Sequence, residues 1–281
     1  MIEQQNRKRN STILSYLVIC IIIILYIFPI YWMFVSSFRD NSMILSFPPK
    51  LFPTGGSLEN YRKILSDNNF IQYFKNSAFV SLAVVVISTA MSMTAGYAFS
   101  RYKFRFKETL STMILSIQIF PITVIIISLY TIYVNLNLLN THFGLIIANT
   151  LYTLPFSVWF LKSYFDTIPT SIDESASIDG CSRLRTMYGI IVPLIKPGII
   201  AVVIYSFLKS WDEYVFARTL ITKDALRTVP AGIALSFLGE FGDDYAGLMT
   251  VSVIAAAPVI IVFIFLQKYM VSGLTSGAIK G

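Results

Sequence analysis

The sequence has few charged residues for its length. Charged side chains make up 13% of the 281 residues, whereas hydrophobic side chains make up 55%. A soluble domain carries about 25% charged residues, so a chain this poor in charge would not remain dispersed in water. The composition excludes an ordinary soluble protein and predicts a protein embedded in a lipid bilayer.

The residue types that carry most enzyme chemistry are also scarce. The chain has one histidine, His142, and two cysteines, Cys20 and Cys181, which lie far apart in the sequence. Their spacing fits neither a zinc site nor a redox pair, and no G-x-x-x-x-G-K-[ST] phosphate-binding motif occurs. We therefore expect no enzyme activity, no metal and no cofactor bound by this chain, and any ATP to bind partner subunits.

Long apolar runs are abundant. A helix needs about 20 apolar residues to cross the hydrocarbon layer, and it satisfies its backbone hydrogen bonds internally. We expect an all-α membrane protein in which residues 1–281 form a single transmembrane domain. The six predicted spans are about 13–35, 74–99, 109–133, 143–163, 195–217 and 248–269.

The placement of basic residues predicts the orientation of the spans. Cations precede the first span, fill the second connection, and flank or lie within residues 168–197, whereas the third connection, about 134–142, has no Lys or Arg. They include Arg7, Lys8, Arg9, Arg101, Lys103, Arg105, Lys107, Lys162, Arg183, Arg185 and Lys196. By the positive-inside rule, both termini and residues 168–197 are cytoplasmic. We interpret these cations as topology signals rather than as nucleic-acid contacts.

Residues 168–197 form a polar interruption in the apolar second half of the chain. Thr170 and Ser171 each precede an acidic residue by three positions, at Asp173 and Glu174, and this is the spacing of a capping box. The pattern predicts that a short helix begins here. Its carboxylates would lie near the positive end of the helix dipole.

A corner and a second helix are predicted to follow. Gly180 can end the first helix in a left-handed conformation, and Ser182 can cap the next one. Pro193 and Pro197 then bracket the return into an apolar run. The segment 168–197 is thus expected to form a short helix outside the bilayer, suited to contact with another protein.

The spacing in this segment resembles the cytoplasmic signature of the permease subunits of bacterial ABC importers. That signature is Glu-Ala-Ala, three residues, Gly, nine residues and Ile-x-Leu-Pro. This chain has Glu174-Ser175-Ala176, Gly180 and Ile190-Ile191-Val192-Pro193 at the same spacing, with Ser175 in place of Ala and Val192 in place of Leu. The resemblance implies a coupling loop, 168–197, that docks on a separate ATPase. The residues it implicates are Glu174, Ser175, Ala176, Asp179, Gly180, Ile190 and Pro193.

The end of the chain carries a second resemblance. Residues 273–281 read GLTSGAIKG, which is similar to the end of sugar permeases of the maltose type. The resemblance implies that a tail, 270–281, reaches into the ATPase dimer through Gly277 and Lys280. The alternative is a frayed terminus, which is common at chain ends.

Polar residues within the spans are candidates for a substrate path, because polar groups at membrane depth usually face the bundle interior or a cavity. Lys209 and Glu213 are four positions apart and could pair across one helical turn. Packing of Gln118 and an interfacial role for 211–214 remain alternative interpretations. The candidates are Gln118, Asn149, Trp211, Asp212, Glu213 and Tyr214.

The resemblance implies a permease subunit of a carbohydrate importer in the bacterial inner membrane. The resemblance implies a second permease subunit, an ATPase dimer and an extracytoplasmic sugar-binding protein as partners, and a di- or oligosaccharide as cargo. One alternative is an ion-coupled secondary carrier, which would need titratable groups within the membrane. A membrane assembly factor is another alternative, but it gives no reason for the signature spacing.

Overall fold

The computed structural model describes residues 2–52, 55–237 and 243–278. All the regular secondary structure assigned in these ranges is helical. The α-helices are α1 (Ile2–Ser36), α2 (Asn41–Ile44), α3 (Glu59–Ser66), α4 (Asn68–Arg101), α5 (Lys107–Ser116), α6 (Ile122–Asn135), α7 (His142–Asp166), α8 (Ser171–Ile178), α9 (Arg183–Thr186), α10 (Val192–Leu194), α11 (Lys196–Trp211), α12 (Val215–Leu220), α13 (Val229–Phe237) and α14 (Tyr245–Ala278). Short 3₁₀ turns lie at Ile117–Ile119 and Asp224–Leu226, and a π-helical turn lies at Met187–Ile191.

Within the residues that the structure describes, four helical segments are long and apolar enough to cross a bilayer by themselves. They are Leu14–Ser36, Asn68–Arg101, His142–Asp166 and Tyr245–Gln267. Two further segments qualify if each is counted as a helix pair bent at a break, which brings the number to as many as six. The protein thus has the all-α membrane architecture that its apolar runs predict.

The third predicted span, 109–133, is not a continuous helix. The segments Lys107–Ile119 and Ile122–Asn135 meet at 99°. Pro121 disfavours a helical conformation in the residue before it, and Phe120 is extended, with φ −72° and ψ 133°. The proline near the middle of the span therefore breaks the helix.

The fifth predicted span is shorter than expected and begins at a corner. The segment Arg183–Leu194 meets Lys196–Trp211 at 84°. The prediction puts the end of this span at about residue 217, whereas α11 stops at Trp211 and α12 begins separately at Val215. Glu213 lies in the break between the two helices, so it does not continue the α11 turn that carries Lys209.

The chain groups into two compact units. The first comprises residues up to Asp67 together with Leu235–Ala256, and the second comprises Asn68–Ala234 with the segment from Ala257 onwards. In the first unit, Thr250 donates a hydrogen bond from Oγ1 to the Ser37 carbonyl oxygen at 3.0 Å. The side chain of Asn41 accepts from the Ala246 N–H at 2.8 Å, so the end of α1 and the start of α14 are joined.

In the second unit, α4, α7 and α11 form the central bundle. The small residues Ser88, Ser92 and Gly96 all lie buried on one face of α4. An added Cβ at Gly96 would lie 3.0 Å from the backbone nitrogen of Lys162, so α4 and α7 approach closely there. Ser88 Oγ also contacts Thr153 of α7 at 3.3 Å. Small side chains let helices pack backbone to backbone in lipid, so this face of α4 serves packing within the chain.

Candidate functional site

The loop between α7 and α11 contains the short helix that its capping and glycine signals predict. Helix α8 ends in a Schellman turn: the Cys181 N–H donates to the Ala176 carbonyl at 2.9 Å, and the Gly180 N–H donates to the Ser177 carbonyl at 3.2 Å. Gly180 has φ +77°, which a side chain would disfavour. The Ser182 side chain then accepts a hydrogen bond from the Arg185 N–H, so it caps α9 as predicted.

The predicted capping box at the start of α8 does not form. Thr170 is itself in a helical conformation and its side chain accepts no capping hydrogen bond. Asp173 is instead bound by residues of α4. Its Oδ1 accepts a hydrogen bond from the Tyr97 hydroxyl at 2.7 Å, and its Oδ2 lies 2.9 Å from Nε of Arg101.

The inner side of the loop packs on the membrane helices. Ala176 of α8 is 4% exposed, and Met187 and Ile191 of the π-helical turn are also buried. These last two residues belong to a cluster with Leu161 and Phe165 of α7. The inner side of the loop is therefore part of the apolar core of the second unit.

The outer side of α8 is solvent-exposed and carries most of the predicted coupling residues. Glu174, Ser175, Asp179, Gly180 and Pro193 are exposed, and Ile190 is half-buried. The arrangement leaves one carboxylate-bearing face of α8 free while the opposite face is held. Contact of these residues with an ATPase stays a prediction.

Two exposed apolar side chains in the same loop were missed by the sequence reasoning. Ile178 is 86% exposed and Leu184 is 68% exposed. Single exposed apolar side chains are common on protein surfaces, so Ile178 and Leu184 become candidates for a partner contact only because they lie in the same loop as the predicted coupling residues. For Ile178 the signal available from sequence was an apolar residue on the same short helix, α8, as Asp173 and Glu174, whereas Leu184 lies on α9.

A cavity of about 670 Å³ opens beside α8. Its lining combines acidic, basic and aromatic side chains from the end of α4, from α8 and from α9. Arg183 places its guanidinium carbon 5.0 Å from the ring centre of Tyr102. The cavity lies between α8, the end of α4 and α9, and both Asp173 and the exposed Glu174 line it.

The predicted path residues do not form one cluster. Asn149 is 2% exposed and its side chain donates to the Leu145 carbonyl within α7 at 2.9 Å, so it is part of helix packing. Gln118 is half-buried, and its Nε2 lies 3.4 Å from the Tyr205 hydroxyl of α11. Trp211 is buried and stacks on Phe207 at 5.5 Å.

The charged residues after Trp211 have separate roles. Glu213 does not pair with Lys209: its two carboxylate oxygens accept hydrogen bonds from the backbone N–H groups of Phe216 and Ala217, at 2.6 and 2.9 Å. Glu213 therefore caps the start of α12. Asp212 and Tyr214 are exposed on either side of it.

The predicted tail, 270–281, is largely helical in the described part of the chain. The backbone of α14 continues through Gly277 to Ala278. Lys280 lies outside the described residues. The docking role of Gly277 and Lys280 stays a prediction.

Comparison with known proteins gives a family match and close relatives. Residues 88–276 match the family described as binding-protein-dependent transport system inner membrane component. The trehalose/maltose transport system permease protein MalG of Thermococcus litoralis is 37% identical over 92% of this chain and 93% of its own length. The inner membrane ABC transporter permease protein YcjP of Escherichia coli is 33% identical over 98% of this chain and 99% of its own.

A solved structure shares the fold. One chain of a bacterial ABC transporter involved in the import of the acidic polysaccharide alginate superimposes with a TM-score of 0.82, at 22% identity, covering 93% of this chain and 96% of that chain. The family match includes the whole segment from α7 to α11, in which the signature spacing lies. The chain therefore belongs to the family of inner membrane components of binding-protein-dependent transport systems.

Proposed function

We propose that this chain is a permease subunit of a sugar ABC importer. With a second permease subunit it forms the path for a di- or oligosaccharide, which an extracytoplasmic sugar-binding protein delivers. A separate ATPase dimer binds and hydrolyses the ATP. In this arrangement both termini and the α8 loop face the cytoplasm of a bacterial cell.

One observation carries the coupling role. Helix α8 is fixed to α4 on one side through Asp173, and on its other side it exposes Glu174 together with Ile178. A partner that binds the exposed face would push on a helix that is already joined to the membrane bundle. An unsupported surface helix would transmit no such displacement.

The cargo is proposed from the relatives and from the chemistry of the membrane helices. The Thermococcus relative is a trehalose/maltose permease, and the superimposable chain belongs to an alginate importer. This chain places Tyr205 beside Phe156, with ring centres 4.4 Å apart, and the Gln118 amide beside the Tyr205 hydroxyl. Aromatic faces next to hydrogen-bonding groups suit a sugar ring.

The proposed mechanism is alternating access. The ATPase dimer binds α8 differently when it is closed on ATP and when it is open. Because the two conformations of the permease then differ in their affinity for the partner, nucleotide binding shifts the population between them. The transport path between the two permease subunits opens outward to receive sugar, and it opens inward again after ATP hydrolysis.

Photo-cross-linking tests the proposal. A photoreactive residue at Ile178 should cross-link to an ATP-binding protein in membranes of the source organism. The matched control is Phe47, which is apolar and 96% exposed but lies in the first unit. Labelling of the ATPase from Ile178 and not from Phe47 supports the docking surface. A second test uses Ser175→Cys in a Cys181→Ser background. Labelling of this cysteine in intact cells by a thiol reagent that does not cross the membrane would contradict the cytoplasmic location of α8.

Dependence of uptake on ATP separates this function from an ion-coupled carrier. Vesicles containing the co-purified assembly should accumulate radiolabelled trehalose or maltose only when ATP is inside. Accumulation driven by a proton or sodium gradient without ATP would favour the carrier. Glu213 is a poor relay for such a carrier, because backbone N–H groups occupy both of its carboxylate oxygens.

A further inference from the structure

Arg101, the last residue of α4, joins α4 to two points near the beginning of the α7–α11 loop. Besides its ion pair with Asp173, its NH2 group donates to the carbonyl oxygen of Ile168 at 2.9 Å. The Arg101 side chain is 8% exposed and that of Asp173 is 19% exposed. This guanidinium therefore contacts the chain before α8 and the first turns of α8 itself.

Tyr97 adds a second support one helical turn earlier on α4. Its hydroxyl donates to Asp173, and its ring packs edge-on against Phe165 with ring centres 5.5 Å apart. One carboxylate oxygen of Asp173 thus accepts a hydrogen bond from α4, and the other forms an ion pair with Arg101 of the same helix. Tyr97, 8% exposed, belongs to the same apolar cluster as Ile191 of the loop and Val202 of α11.

A neighbouring polar contact ties α4 to the end of α7. Ser100 donates from Oγ to Asp166 Oδ1 at 2.6 Å, and Lys162 lies 2.8 Å from Asp166 Oδ2. The last turn of α4 therefore holds α7 and α8 together. Asp173 of α8 has its hydrogen-bond and ion-pair partners on α4, whereas its neighbour Glu174 is exposed to solvent.

We propose that Arg101, Tyr97 and Asp173 are positioning residues that lock α8 to the membrane bundle. The inference rests on the proposed function, since it assumes that a partner displaces α8. With the lock closed, α8 moves together with α4, α7 and α11. With the lock open, the partner moves α8 alone and the transport path does not respond.

If α8 is locked to α4, the distance between these two helices should not change when nucleotide binds. Spin labels at Thr94 on α4 and Ser177 on α8, both exposed, would be introduced into the full assembly after replacement of Cys20 and Cys181. In the otherwise unaltered protein we expect one narrow distance distribution, the same with and without ATP. In Asp173→Asn and in Tyr97→Phe we expect it to broaden and to shift when ATP binds.

The size of the effect follows from the contacts removed. Loss of one hydrogen bond to a charged group should raise the detached fraction of α8 about tenfold. Tyr97→Phe removes only a hydroxyl, so it should leave the fold intact. Tyr188→Phe is the matched control, because Tyr188 is in the same loop and 47% exposed.

Three outcomes decide the proposal. Broadening in Tyr97→Phe and Asp173→Asn, with unchanged ATP hydrolysis and with Tyr188→Phe normal, supports the lock. An equally narrow distribution in Asp173→Asn overturns it, and so does a Thr94–Ser177 distance that changes with ATP in the unaltered protein. If no ATPase co-purifies, the proposed function fails, while the nucleotide-free distributions still test the lock.

Discussion

Gly198 of α11 lies directly against the ring of Tyr164 of α7. A Cβ built at Gly198 would come 2.6 Å from Cγ of Tyr164 and within 2.9 Å of both adjacent ring carbons. The clash would involve the base of the ring, which cannot swing away as a flexible side-chain tip can. This contact sets how closely α11 approaches α7 just after the corner that follows the loop.

Gly198→Ala should therefore destabilise the protein. Inserting a methyl group into a tightly packed site costs about 1–3 kcal/mol, and the loss should appear as a lower unfolding temperature of the purified protein. Gly189→Ala is the control, since a Cβ at Gly189 meets nothing within 4 Å. Equal stability of the two variants would show that the α7–α11 contact is looser than the structure indicates.

Substitution of Gly180 tests the backbone conformation of the Schellman turn without changing side-chain packing. A Cβ there also meets nothing within 4 Å, but φ is +77°. Gly180→Ala should cost about 1 kcal/mol because an L-residue disfavours this conformation, and Gly180→Pro should abolish coupling because proline fixes φ near −65°. Transport and ATP hydrolysis would be measured on the same preparation, with membrane insertion as the control. Full coupling in Gly180→Pro would contradict the role of this turn.

Glu174→Lys should uncouple transport without unfolding the protein. Glu174 is exposed, and surface substitutions usually change stability by only about 0.5 kcal/mol. We expect normal insertion and normal thermal stability, together with reduced recovery of the ATPase on co-purification and loss of ATP-driven uptake. Glu108→Lys, also at an exposed acidic position, provides the comparison. Uptake unchanged in Glu174→Lys would refute coupling through this face of α8.

Glu213 should respond to substitution as a helix cap. Glu213→Ala leaves the N–H groups of Phe216 and Ala217 without their acceptor, which should cost about 1–3 kcal/mol. Glu213→Gln retains one acceptor oxygen, so its unfolding temperature should lie between those of the alanine variant and the unaltered protein. ATP-driven uptake should persist in the glutamine variant. Abolition of uptake in Glu213→Gln with unchanged stability would instead indicate a role in proton or substrate transfer.

Local sequence patterns correctly predicted those helix ends that depend on hydrogen bonds between residues close together in the chain. The end of α8 at Gly180 and the start of α9 at Ser182 depend on hydrogen bonds that reach only three to five residues along the chain. The break before Pro121 was also available from sequence, because proline restricts the residue preceding it. We expected a continuous span there, since the apolar run continues on both sides.

The sequence by itself determined that the chain is helical, lies in a membrane and carries a polar loop of a recognisable family spacing. Apolar runs and turn residues suffice for this, since they act within a few positions. Only the tertiary structure decided that Asp173 binds Tyr97 and Arg101 instead of capping its own helix. Those partners lie more than 70 positions away, and only packing of α4 against the loop brings them together. The same holds for the exposure of Glu174, because the buried side of α8 depends on which helix lies beneath it.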